Sequence, residues 1–353
     1  MKIINNPSRK DWTQILQRPT KTVDDIEGIV NEVFADIQQN GDAAIAKYTT
    51  KFDGVSLENP IVSEKEIKEA INLVSNDLKT AISVAKENIT KFHAAQKTEK
   101  VFVETTNGVE CWQEKRPISK VGLYIPGGTA PVFSTVLMLA IPANIAGCKE
   151  IVLCSPPNKE GKINPAILYA ANLCGVTKII KVGGIQAIAG MTFGTESIPQ
   201  VYKIFGPGNQ FVTVAKQIAT KHGVAIDMPA GPSELLVVAD NSANASYVAS
   251  DLLSQAEHGA DSQVILVSDS INFIESVTSE IKKQVLDLPR KEIAKKALDK
   301  NGEVLDYHLT YAFILNSNGK KSEALKVANN SVPIAEKQGS LRELQKLIKR
   351  IEG

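Results

Sequence analysis

The sequence predicts an α/β protein made of two doubly wound, parallel-sheet halves preceded by a helical N-terminal arm. Three observations lead there. The first hundred residues carry helical periodicity, short β-rich runs then alternate with helix-length segments, and 353 residues suffice for two or three domains with separate cores.

In the arm, residues 1–105, Ile26, Ile29, Val30, Val33, Phe34 and Ile37 recur at the spacing of one buried helical face, which Asn40-Gly41 ends. Ser63 with Glu66 makes a capping-box signature that opens a long helical stretch running towards His93. From 106 to 230, strands at 121–125, 151–154, 178–182 and 201–205 alternate with helices at 132–146, 165–174 and 210–222. Such alternation builds βαβ units, and so a parallel sheet. Residues 231–320 resume the pattern with strands at 235–239 and 264–268, a helix at 243–258 and a strand-like run at 311–315. The tail, 321–353, ends in a helix capped by Ser340 and Glu343, with Leu341, Leu344, Leu347, Ile348 and Ile351 on one side.

Lysine plus arginine (40) and aspartate plus glutamate (39) nearly cancel, so no long-range field favours nucleic acid or an anionic membrane. The N-terminus lacks an apolar signal core, and the most apolar stretch, 132–148, is interrupted by Pro142 and Asn144. This predicts a cytoplasmic protein with no membrane span. Cys111, Cys148, Cys154 and Cys174 form no CxxC pair, which argues against a disulfide or cysteine–zinc framework.

Four segments have the composition of a ligand site. Tyr124-Ile125-Pro126-Gly127-Gly128 ends a strand before a helix, where glycines let a ligand approach the backbone or simply make a tight turn. Phe205-Gly206-Pro207-Gly208-Asn209 opens another helix, whose N–H groups suit an anion, without completing a G-x-G-x-x-G fingerprint. In Gly183-Gly184-Ile185-Gln186-Ala187, Gln186 is either a ligand-binding amide or a solvated side chain. In Ser254-Gln255-Ala256-Glu257-His258-Gly259, Gln255 and His258 are three apart on one helical face, as two metal or substrate ligands or as an ordinary helix end. His93, His222 and His308 have no companions at ligand spacing. No G-x-S-x-G surrounds Ser233 and no Walker motif occurs, which sets aside serine-nucleophile and P-loop chemistry.

The runs Val121-Gly122-Leu123-Tyr124-Ile125-Pro126-Gly127-Gly128, Phe205-Gly206-Pro207-Gly208-Asn209, Asp227-Met228-Pro229-Ala230-Gly231-Pro232-Ser233-Glu234 and Leu253-Ser254-Gln255-Ala256-Glu257-His258-Gly259 closely resemble the histidinol dehydrogenase family. The resemblance spans roughly residues 1–300. It implies a zinc-dependent oxidoreductase of histidine biosynthesis that takes L-histidinol through L-histidinaldehyde to L-histidine with two successive NAD+. It also implies incomplete Rossmann-like halves related in fold to aldehyde dehydrogenases, and an intertwined homodimer. Position by position, Tyr124, Gln186 and Asn209 match NAD contacts, Ser233 a substrate contact, and Gln255 and His258 ligands of the one zinc ion that holds the substrate.

The chain also departs from that pattern. The family's catalytic Glu-His pair follows a proline; here Pro333 is followed by Ile334-Ala335, which move no protons, so no catalytic residue is identified. The chain ends at Gly353, ahead of the family segments that bring an aspartate and a histidine to zinc and a glutamate to the substrate. Two expectations result: an active histidinol dehydrogenase, or a truncated, redesigned or catalytically incompetent homologue keeping the fold and the NAD and substrate surface. A remoter one, an aldehyde dehydrogenase relative with a Cys148 or Cys154 thiolate, lacks a polar loop around either thiol.

Overall fold

The computed structural model describes residues 2–5, 7–17, 23–127, 132–229, 234–259 and 262–306, with Ser322, Leu325, Gln345, Ile348 and Lys349. The expected strand at 311–315 and the helical tail fall outside this set, apart from those last residues. The chain divides into two compact units, Lys21–Gly231 and Met1–Thr20 with Pro232–Gly353. The second unit starts with β1 (Lys2–Asn5) and α1 (Trp12–Ile15).

The first unit contains α2 (Val23–Tyr48), α3 (Glu64–Leu73), α4 (Asn76–Ala94), β2 (Val101–Thr106), β3 (Val109–Gln113), β4 (Lys120–Tyr124), α5 (Phe133–Ala146), β5 (Glu150–Cys154), α6 (Pro165–Leu173), β6 (Lys178–Ile180), α7 (Gly184–Phe193), β7 (Lys203–Phe205), α8 (Gln210–Lys221) and β8 (Ala225–Ile226). Its five-stranded sheet is parallel throughout, in the order β6-β5-β4-β7-β8. The sheet is covered on both faces, and the alternation of its strands shows how. Val121, Leu123, Ile151 and Leu153 pack with α5 and α6, whereas Tyr124, Val152 and Cys154 pack with α2, α7 and α8. That is the doubly wound arrangement, its strands apolar on both sides.

The helices read as an arm are packed into this same unit, because the α2 stripe of Ile26, Val30, Val33, Phe34 and Ile37 is buried against α7 and α8. Ile29 departs from the stripe: it is 45% exposed. The helix bends at Gly41, which has φ +50°, and the new start is closed by the Asp42 N–H donating to Glu196. The capping box forms in both directions: the Ser63 hydroxyl accepts from the Glu66 N–H, and the Glu66 carboxylate accepts from the Ser63 N–H at 2.8 Å. The long helix expected after it is two, since Val74 is extended and Ser75 caps α4.

Two further corrections concern this unit. Residues 101–113 form an antiparallel hairpin that spans the expected boundary between the arm and the α/β domain at 105/106. It went unread because both its strands are exposed, so no alternating burial marks them. Helix α7 was missed because its residues from Ile185 to Thr192 are all buried, which erases the amphipathic stripe.

The other unit has a four-stranded parallel sheet, β1-β11-β10-β9, with β9 (Glu234–Val238), β10 (Gln263–Ser268) and β11 (Gly302–Asp306). Helices α9 (Ala245–Ala256), α10 (Ile271–Gln284) and α11 (Lys291–Asn301) bury Leu252, Phe273, Ile274 and Leu298 with Val264 and Leu266. Ile265 and Val267 face the other way, towards Ile4 and Ile15. No helix among the described residues is long and apolar enough to cross a membrane.

Candidate functional site

In the order β6-β5-β4-β7-β8 the connections run one way from β4 and the other way from β7, so a crevice opens beyond the carboxyl ends of these two strands. A cavity of about 1170 Å³ lies there, and its walls include Asp53, Tyr124, Gly127, Lys162, Gln186 and Asn209.

Each wall residue is set by its element. Tyr124 is the last residue of β4, and its hydroxyl oxygen accepts the N–H of Gly184 at 3.1 Å, tying the strand to the first turn of α7. Burial pushes this phenol up to about 12, so it stays protonated. Gln186 follows in α7 and is 0% exposed, which rules out the solvated reading. Its Nε2 donates to Asp53 Oδ2 at 3.0 Å, while its Oε1 is buried without a partner. Asp53 ends the single π-turn after α2, and burial raises its carboxyl to about 6 against the opposing effect of the Gln186 hydrogen bond. Asn209 caps α8, its side-chain oxygen accepting the Val212 N–H at 3.1 Å.

The loop before α8 is braced from beneath. Gly206 has φ +130°, and a Cβ there would collide with the Tyr124 carbonyl, so only glycine lets the two strand ends approach this closely. Its N–H donates to Asp227 at 2.8 Å, and its carbonyl accepts from Lys216 Nζ at 2.8 Å. Lys216, 4% exposed, also pairs with the Asp227 carboxylate. Asp53 and Lys216 were not singled out by sequence reasoning. Asp53 stands 133 residues from Gln186, and no local pattern links such positions.

Gln255 and His258 belong to the other unit. Helix α9 ends at Ala256, and the exposed His258 lies in the closing turn just past it, its N–H donating to the carbonyl of the half-buried Gln255 at 3.2 Å. Among the described residues no three His, Cys, Asp or Glu side chains gather. One amide and one imidazole fall short of the roughly four ligands of a zinc site, so the described residues by themselves do not complete one. Ser233, Ile334 and Ala335 lie outside the described residues. The cysteines are free, and burial pushes the Cys154 thiol up to about 12, the reverse of what a nucleophile requires.

A doubly wound parallel sheet with a glycine-bordered cleft at its switch point defines an α/β protein whose cleft lies where sheets of this kind take their ligands. Comparison with known proteins narrows the class. The histidinol dehydrogenase sequence profile matches residues 16–337. Histidinol dehydrogenase of Bacteroides thetaiotaomicron is 50% identical over 337 residues, 96% of this chain and 79% of that protein. The Escherichia coli K12 protein is 51% identical over 298 residues, 84% of this chain and 68% of its own length. The crystal structure of histidinol dehydrogenase from Elizabethkingia anophelis superposes with a TM-score of 0.81 at 54% identity, covering 90% of this chain and 73% of that one. The chain belongs to the histidinol dehydrogenase family, a family of oxidoreductases.

Proposed function

We propose that this chain binds NAD+ in the cleft of the first unit and acts as a histidinol dehydrogenase, oxidising L-histidinol through L-histidinaldehyde to L-histidine. One observation carries the reading. Tyr124, Gln186 and Asn209, from the end of β4, the first turn of α7 and the cap of α8, line a single cavity at the switch point. The orphaned Gln186 Oε1 and the two helix starts fit a hydroxylated, anionic dinucleotide. When bound, the nicotinamide accepts hydride from the carbinol carbon and later from the aldehyde's hydrate. The chain's own residues hold and orient: the first-turn N–H groups of α7 and α8 suit a pyrophosphate, and the Tyr124 phenol stays a donor at every physiological pH. Ser233, Gln255 and His258 are proposed substrate contacts, the last two as zinc ligands, within a cytoplasmic homodimer. No step is assigned to the ion, because the described residues supply only two of the roughly four ligands it needs.

The sequence carries a second reading, since Ile334-Ala335 stand where the family resemblance places a Glu-His pair: the fold and binding surface persist without turnover. Both are tested by adding L-histidinol and excess NAD+ to the purified, zinc-supplemented chain, following NADH and measuring bound zinc. NADH formation with about one zinc per chain supports the enzyme. A folded sample with neither supports the second reading.

A further inference from the structure

The cavity has a feature that neither the motifs nor the family comparison singles out. Among the described residues of its wall, two carry charge, Lys162 and the carboxylate Asp53. Asp53 is half-buried and fixed by Gln186 Nε2 at 3.0 Å. The amide oxygen of that glutamine is fully buried with no partner, although the side chain lines the cavity. Space for that oxygen exists because Gly184 lacks a side chain: a Cβ there would lie 2.9 Å from Oε1. The pair therefore places two acceptors side by side in the wall, one anionic and half-buried, one neutral and closed off from solvent.

Acceptors of this kind match hydroxyl donors and oppose phosphate. A ribose with both hydroxyls free donates to them, and a ribose 2′-phosphate brings a second negative charge against a partly desolvated carboxylate. Resting on the proposed NAD+ site, we infer that Asp53, held by Gln186, is the residue by which this cleft accepts a dinucleotide with free ribose hydroxyls and rejects one carrying a 2′-phosphate. Asp53 comes from the turn after α2, away from the strand end where an acidic ribose ligand stands in a G-x-G-x-x-G fold, so the device is specific to this cleft.

The test is equilibrium binding of NAD+ and NADP+, and of ADP-ribose and 2′-phospho-ADP-ribose, to the full chain and to Asp53→Asn at pH 8. Like-charge juxtaposition makes the expected preference of the unaltered chain for NAD+ about 100-fold, narrowing to about tenfold or less in the variant through tighter NADP+ binding. The introduced amide still offers an oxygen to Gln186, and a thermal melt confirms folding. The ADP-ribose pair on the unaltered chain tests the same selectivity with no substitution. Unchanged selectivity in a folded Asp53→Asn overturns the inference while leaving the NAD+ site standing. Equal binding of the two ADP-riboses by the unaltered chain also overturns it. Absence of all dinucleotide binding overturns both the site and the inference.

Discussion

Lys216→Met is the sharpest probe of how the cleft is held open. The substitution keeps the length of the side chain and removes the cation that bonds the Gly206 carbonyl and the Asp227 carboxylate. Breaking a buried pair from one side costs about 3–5 kcal/mol, and a hydrogen bond from a charged donor about 1.5–3. Asp227 lowers the figure, because its side chain is 29% exposed and keeps the Gly206 N–H, so water can reach the stranded carboxylate. The expected loss is about 3 kcal/mol, which in a unit of about 200 residues lowers its melting midpoint by about 6–12 °C. Urea and thermal titrations followed by circular dichroism read the change. The double variant Lys216→Met/Asp227→Asn removes both charges and is expected to lose about 1–2 kcal/mol less than the sum of the single losses. A loss below about 1 kcal/mol, or strict additivity, would refute the bracing role.

Other outcomes follow from the same geometry. Gly206→Ala forces a Cβ onto the Tyr124 carbonyl at φ +130° and should cost at least about 2 kcal/mol, together with dinucleotide affinity, measured by urea titration and calorimetry. Ser63→Ala removes one half of the capping box and should destabilise by about 1 kcal/mol in the same titration. Asp53, raised to about 6 by burial, holds its proton more readily folded than unfolded. Its contribution is therefore intact below about pH 4 and lost as pH rises towards 6, costing about 1 kcal/mol after discounting for its half-exposed position. Asp53→Asn should flatten that slope in urea midpoints taken from pH 4 to 7, and an unchanged slope would contradict the assignment.

The sheets were legible because parallel strands buried on both faces read as short apolar runs, and the structure places strands within a few residues of 121–125, 151–154 and 264–268. The arm's helices were legible from their stripes, but their place in the first unit was not. A stripe such as Ile26, Val30 and Phe34 states that a partner exists without naming α7 and α8. Glycines at strand ends pointed to the cleft. Its depth, its carboxylate and its lysine brace depend on contacts such as Asp53 with Gln186, which no spacing rule encodes. At Gln255 and His258 the expected helical face runs past the end of α9 at Ala256, into a closing turn in which the His258 N–H donates to the Gln255 carbonyl.

The most direct test of the central claim is a crystal structure of the full chain grown or soaked with saturating NAD+. The account predicts dinucleotide density in the cavity beyond β4 and β7, in contact with Tyr124, Gln186 and Asn209. An ordered dinucleotide bound anywhere else, with this cleft holding only water, would contradict it.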